Sequence, residues 1–119
     1  MLLATNGRRV DAATELETLV TLEPDFAPAH FTLGLLYGEE ERWEESAAEL
    51  RACVERDPAY PRALYNLGVA YERLGRVADA FATLERATEE PTAAPDALAA
   101  LVALARRIGD EDRVRRWSE

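Results

Sequence analysis

Laid on itself at a shift of 34 residues, this chain matches itself along its whole length. Leu33-Gly34 falls on Leu67-Gly68, Tyr37 on Tyr71, Phe31 on Tyr65, Leu50 on Leu84 and Pro24 on Pro58. Gly7-Arg8 meets Gly75-Arg76 two periods on, Asp11-Ala12 meets Asp79-Ala80, and Leu98, Leu101 and Gly109 continue Leu64, Leu67 and Gly75. A fixed period of this size means that one supersecondary unit is built repeatedly. Each unit then buries its apolar face on its neighbours, because one unit alone is too thin to do so. A length of 119 residues suits one short array of this kind.

Each period contains two helical stretches. His30, Leu33, Gly34 and Tyr37 recur at helical spacing, as do Leu64, Leu67, Gly68 and Tyr71. Ala47, Leu50, Cys53 and Val54 form a second stripe, repeated by Ala80, Leu84 and Ala87. Breakers lie between the stripes: Pro24 and Pro28, Pro58 and Pro61, Gly75, Pro91 and Pro95, and Gly109. Pro61 and Pro95 read as helix starts, since proline fits the first turn. The spacing predicts helices near 8–22, 27–39, 43–56, 61–74, 77–90 and 95–108, stubs near 1–5 and 111–117, and no β-strand.

Composition removes most chemistry. All 14 basic residues are Arg, so no lysine-based catalysis or P-loop lysine is available. One Cys and one His make neither a disulfide nor a Cys/His zinc site. A net charge of −9 opposes binding to nucleic acid or to an anionic membrane, which attract cations. No apolar run approaches the roughly 20 residues of a membrane span, and Met1-Leu2-Leu3-Ala4 is too short for a signal-peptide core. The expected setting is cytoplasmic, with no cofactor and no metal.

The residues quoted resemble the tetratricopeptide repeat family, whose signature places a bulky residue, Leu-Gly, Tyr, a small residue and a closing Pro at fixed offsets. Leu33-Gly34, Tyr37, Trp43, Leu50 and Pro58 fill one unit; Leu64, Leu67-Gly68, Tyr71, Gly75, Ala80, Leu84 and Ala87 fill the next. His30 stands in place of the bulky apolar residue, Ser46 in place of Ala, and Val102 in place of the last unit's Gly, while Pro91 arrives one residue early. The resemblance implies an all-α fold, a right-handed α-solenoid of stacked antiparallel helix pairs. It divides a single domain, 1–119, into a partial repeat 1–26, complete repeats 27–60 and 61–94, and a partial C-terminal repeat or cap 95–119. Gly34 and Gly68 are expected to let the partner helix approach closely, with Ser46 and Ala80 facing them.

The same resemblance implies a peptide-binding groove lined by the first helix of each unit: Phe31, Thr32 and Leu35, then Tyr65, Asn66 and Val69, then Ala99, Ala100 and Ala103, with Arg62 and Arg106 flanking. Asn66 is the expected backbone clamp, because an amide both accepts and donates. The alternative for Phe31 and Tyr65 is packing between units, and for Asn66 a solvated position. Relatives that grip C-terminal carboxylates use cations and amides where this chain has Phe31, Leu35, Asp96 and Ala100, so that role is not expected. The expected partner is a protein or peptide, and no enzyme is expected.

The remaining features have bland readings. Cys53 and His30 share a unit, but Cys53 sits on the buried stripe and reads as packing rather than as a nucleophile. Ser46 and Ser118 have no nearby His, and the Glu residues read as solvated helix faces. Gly7, Gly75 and Gly109 read as turn glycines; Trp43 packs at a helix start and Trp117 closes the stack. An acidic ridge from Glu39 to Glu49 and the arginines 106, 107, 113, 115 and 116 could meet head to tail, though solvation is the expected state. Leu16, Leu19 and Leu22 lack an evident cover, since residues 1–5 offer only the tail of a first helix. Either the chain is part of a longer array, an accessory segment of a larger protein, or a second copy covers this self-association edge.

Overall fold

The structure is a computed structural model that describes the backbone of residues 2–118 and the side chains of residues 11–110 and 112–117. Helices α1 (Leu2–Leu22), α2 (Ala27–Glu39), α3 (Trp43–Arg56), α4 (Ala63–Arg73), α5 (Val77–Ala87), α6 (Ala94–Ile108) and α7 (Glu111–Ser118) follow one another, and the described residues contain no strand. The fold is all-α, as the period requires. Two compact units divide at Tyr60 and Pro61, which is also where the first complete period ends.

In the first unit α2 pairs with α3 and α1 lies against α2. Leu33, Leu50 and Cys53 are sealed from solvent, and Ala13 of α1 joins Leu33 and Tyr37 in a cluster flanked by Leu16, Val20 and Leu36. In the second unit α4 pairs with α5, α6 packs on both, and α7 lies against α6. Its core runs through Leu67, Tyr71, Phe81, Leu84, Leu101 and Leu104. Residues one period apart therefore bury the same stripe in both units.

The turn that follows each first helix repeats the same backbone bonds. Arg42 N–H donates to the Tyr37 carbonyl, Arg76 to Tyr71 and Asp110 to Ala105, each at 2.9 Å. This closes the helix end by a Schellman-type bond and needs one left-handed residue. Gly75 (φ 77°) and Gly109 (φ 76°) supply it, and Glu41 (φ 60°) supplies it in the first repeat without being glycine. Helix α7 then begins with a side-chain cap, the Asp110 Oδ1 accepting from Arg113 N–H at 3.0 Å.

Several expectations are corrected. Helix α1 runs unbroken through Gly7, where a stub, a turn and a second helix were expected. A lone glycine costs a helix only about 1 kcal/mol against alanine, too little to end one. Pro61 does not open α4: Arg62 takes a left-handed backbone (φ 64°) and the helix starts at Ala63. Pro95 does lie in the first turn of α6, and Pro28 in that of α2. Ser46 does face Gly34, but it meets the main chain, and the space beside the missing side chain is filled by Leu50. A Cβ on Gly34 would meet Leu50 Cγ at 2.8 Å and one on Gly68 would meet Leu84 Cγ at 2.7 Å, while Ser46 Oγ donates 2.8 Å to the Gly34 carbonyl.

Candidate interaction surface

The first unit presents Phe31, Thr32 and Leu35 along α2. Phe31 is half-buried and its ring lies 4.9 Å from that of Tyr60, tilted by 42°. Burial, reinforced by Cys53 and Asp57, raises the Tyr60 hydroxyl above the usual tyrosine range. Thr32 is exposed and returns its hydroxyl to the Pro28 carbonyl at 3.0 Å, and Leu35 is half-buried. Phe31 thus has a packing partner in its own unit and still shows one side to solvent.

The second unit presents Arg62, Tyr65, Asn66 and Val69, all half-buried. Arg62 is a strap. Its Nη1 donates to the Thr92 carbonyl and its Nη2 to Asp96 Oδ2, both at 2.9 Å, and the guanidinium stacks 4.9 Å over the Tyr65 ring. This ties the start of α4 to the start of α6 and holds Tyr65 flat beneath a cation. Asn66 Nδ2 donates 2.9 Å to the Arg62 carbonyl, so one donor closes the strained helix start, leaving Oδ1 and the second N–H. On α6, Ala99 and Ala103 are exposed and Ala100 is half-buried. The strap also explains Asp96: its carboxylate already occupies Arg62.

Several arginines pair with acidic side chains at short range. Arg42 binds Glu45 and stacks 4.4 Å over Tyr37, and Arg76 repeats this with Asp79 at 2.8 Å and Tyr71 at 4.7 Å. Hydrogen bonding to Arg42 holds the Glu45 carboxyl below its usual range. Of the C-terminal arginines, Arg107 meets Glu72 at 3.6 Å, Arg113 meets Asp110 at 3.4 Å and Arg115 meets Asp112 at 2.9 Å. Arg113 also lies 4.1 Å over Phe81, and the Trp117 ring stacks on Phe81 at 5.6 Å. Among the described residues no group of three His, Cys, Asp or Glu side chains converges as a metal site, and no helix is long and apolar enough to cross a membrane.

The expected edge leucines separate. Leu16 packs half-buried on the Ala13, Leu33 and Tyr37 cluster, Leu19 is half-buried, and Leu22 is 74% exposed. Phe26, in the loop that follows, is 47% exposed and was not singled out from the sequence. The signal for it existed: Phe26 is one period before Tyr60, the ring that covers Phe31. Cys53 is sealed from solvent, and burial pushes its thiol up to about 11, which suits packing and not nucleophilic attack.

Helix hairpins repeated at a fixed period, with partly open side chains along their first helices, define a helical-repeat protein. A tetratricopeptide repeat profile matches residues 31–97, and the chain belongs to the tetratricopeptide repeat family. No curated protein sequence matches it. Among solved structures, a crystal structure of MamA superposes with a TM-score of 0.86 at 22% identity, over 96% of this chain and 67% of that one. A second crystal structure of MamA gives 0.86 at 22% identity over 96% and 62%. MamA from Desulfovibrio magneticus RS-1, residue 41 to the end, gives 0.82 at 22% identity over 97% and 65%. These likenesses establish the fold. The chain spans about two thirds of the length of these neighbours.

Proposed function

We propose that the chain is a non-catalytic scaffold that holds a partner peptide or helix on the first-helix strips of its units. The row Tyr65, Asn66 and Val69 on α4 carries this reading: an aromatic face, an amide with free capacity and an aliphatic side chain, all half-open and fixed by the Arg62 strap. Such a row suits an extended or helical segment, which brings main-chain groups to the amide and apolar side chains to the ring. Phe31, Thr32 and Leu35 form the corresponding strip of the first unit, and Ala103 keeps α6 low where a larger side chain would stand proud. The partner is a protein rather than nucleic acid or a lipid surface, since a net charge of −9 repels phosphate.

Panning a displayed random-peptide library on the purified chain tests the reading. A selected peptide should lose at least about tenfold in affinity, roughly 1.4 kcal/mol, against the double variant Tyr65→Glu with Asn66→Ala. The molar mass of the protein should not change. Equal binding to both proteins removes the strip as the site.

A second reading has its own support. Leu22 and Phe26 leave large apolar side chains open on neighbouring positions of the first unit, and a second copy covering them would make the chain a self-assembling subunit. Leu19 and Leu22 remain the edge in that reading, whereas Leu16 serves the interior of its own unit. Light scattering on the wild type and on Leu22→Glu decides, and a wild-type monomer at high concentration eliminates it.

A further inference from the structure

The one imidazole of the chain is engaged in a way that its surroundings allow only when a proton is added. His30 is 7% exposed. Its Nε2 lies 2.7 Å from the Pro24 carbonyl oxygen and its Nδ1 lies 2.8 Å from Glu49 Oε1. A carbonyl oxygen only accepts, so Nε2 must donate. An ionised carboxylate also only accepts, so a neutral ring would turn the bare lone pair of Nδ1 towards Glu49. Both bonds form together only when one further proton lies in the pair, on the ring or on the carboxyl. Either placement satisfies all the atoms.

The neighbours that bear on this proton come from every element around it. From the α1–α2 loop come the Pro24 carbonyl and Asp25; from α3 come Glu49 and Arg56. Arg56 Nε donates 2.8 Å to the same Pro24 oxygen and lies 3.6 Å from Asp25 Oδ1. From α2 comes Tyr37, which lies in the field of Glu49, and from α1 comes Glu17, hydrogen-bonded to Tyr37. The Pro24 oxygen therefore accepts from two side chains of different elements and is the point at which the loop is held down.

We propose that His30, Glu49 and the Pro24 carbonyl form a one-proton clasp whose His30–Glu49 link, between α2 and α3, is made while that proton is held and is lost when it leaves. The clasp belongs to the first repeat alone, because Leu64 and Leu98 stand one and two periods beyond His30. Its consequence is local. Phe31 follows His30 on α2, so the proton sets how firmly that ring is presented, while Arg56 keeps the Pro24 oxygen, and with it the loop that ends at Phe26, in either state. The link exists only in the folded chain and only with the proton in place, so the stability it adds is present at low pH and is lost as pH rises.

Thermal unfolding of the wild type and of Glu49→Gln at pH 5.5 and pH 8.0 tests this. A glutamine N–H donates to the Nδ1 of a neutral ring while Nε2–H keeps Pro24, so the variant closes the clasp with no extra proton. The wild-type midpoint should fall by at least about 4 °C across the interval, and that of Glu49→Gln by less than half as much. Parallel falls, or no fall in the wild type, overturn the clasp. If Glu49→Gln does not fold, the wild type suffices: with a single histidine, its ring ¹⁵N resonances are unambiguous. They must shift over the interval in which the midpoint falls, or, if the proton rests on Glu49, the Glu49 carboxyl ¹³C signal must do so. Constancy of both signals overturns the clasp.

Discussion

Leu84 Cγ lies 2.7 Å from the point at which a β-carbon on Gly68 would sit, and Leu84 Cδ2 lies at the same distance. The leucine is 1% exposed, so it has no free space to retreat into. Gly68→Ala gains helix propensity of about 1 kcal/mol, yet forces α4 and α5 apart or drives Leu84 off its rotamer. The net expectation is a loss on the order of 1–3 kcal/mol in chemical denaturation. Combining Gly68→Ala with Leu84→Ala should cost less than the two single changes summed, since truncating Leu84 removes the clash and the new methyl fills part of the space it leaves. Strict additivity would mean that the two residues do not set the helix spacing.

Glu41 is the first-repeat counterpart of Gly75 and Gly109, and all three backbones are left-handed, with φ of 60°, 77° and 76°. Two repeats meet this demand with glycine; the first meets it with a side chain that disfavours the conformation by roughly 1–2 kcal/mol. Glu41→Gly should therefore raise stability by about 0.5–1 kcal/mol, the relief being reduced by the added freedom of the unfolded chain. Gly75→Ala should lower it by a similar amount, although nothing lies within 4 Å of the Cβ it would add. Urea titrations of the two variants read both signs directly.

The Cys53 thiol is shifted by burial from 9.0 to about 11, with Asp57 adding to the shift. An acid whose folded value is raised binds its proton more tightly when folded. Stability is therefore intact below pH 9 and falls between about pH 9 and 11, as the unfolded thiol ionises first. A difference of that size corresponds to about 2–3 kcal/mol. Cys53→Ala should be less stable at pH 7, since a fully buried side chain is truncated, and should show a shallower decline from pH 9 to 11. In native buffer at pH 8 the wild-type thiol should resist a disulfide reagent until denaturant is added. Prompt labelling of the folded protein contradicts the burial.

Most of the helix boundaries were legible because the period fixes phase: α2 and α3 begin and end where the stripe and the breakers place them. Gly7 was misread because glycine signals a turn only where the chain needs a left-handed residue, a demand that a repeat match alone does not reveal. The candidate strip could be read from the sequence only as a row of positions, and the bonds around it could not. Arg62 and Asp96 stand one period apart, at equivalent positions, but spacing alone does not show that the guanidinium reaches that carboxylate and the Thr92 carbonyl together. His30 looked like a departure from an apolar pattern. Its partners, Glu49 and a proline carbonyl, depend on where a loop folds back, and no residue-type rule supplies a main-chain acceptor.

Trp117 closes the second unit from α7. Its ring stacks 5.6 Å from Phe81 at 23°, while Arg113 covers Phe81 at 4.1 Å. Trp117 is half-buried and Phe81 is 2% exposed, so truncating the tryptophan wets a ring that is otherwise sealed. Trp117→Ala should lower the stability of the second unit by about 1–3 kcal/mol, below the cost of removing a fully buried tryptophan. Trp117→Phe should recover more than half of that, because a phenyl ring still stacks on Phe81. Amide exchange locates the effect: protection should fall along α5 and α6, which α7 and Phe81 brace, and should hold along α2 and α3. Loss of protection spread evenly over both units would contradict a local cap and make the whole chain one cooperative block.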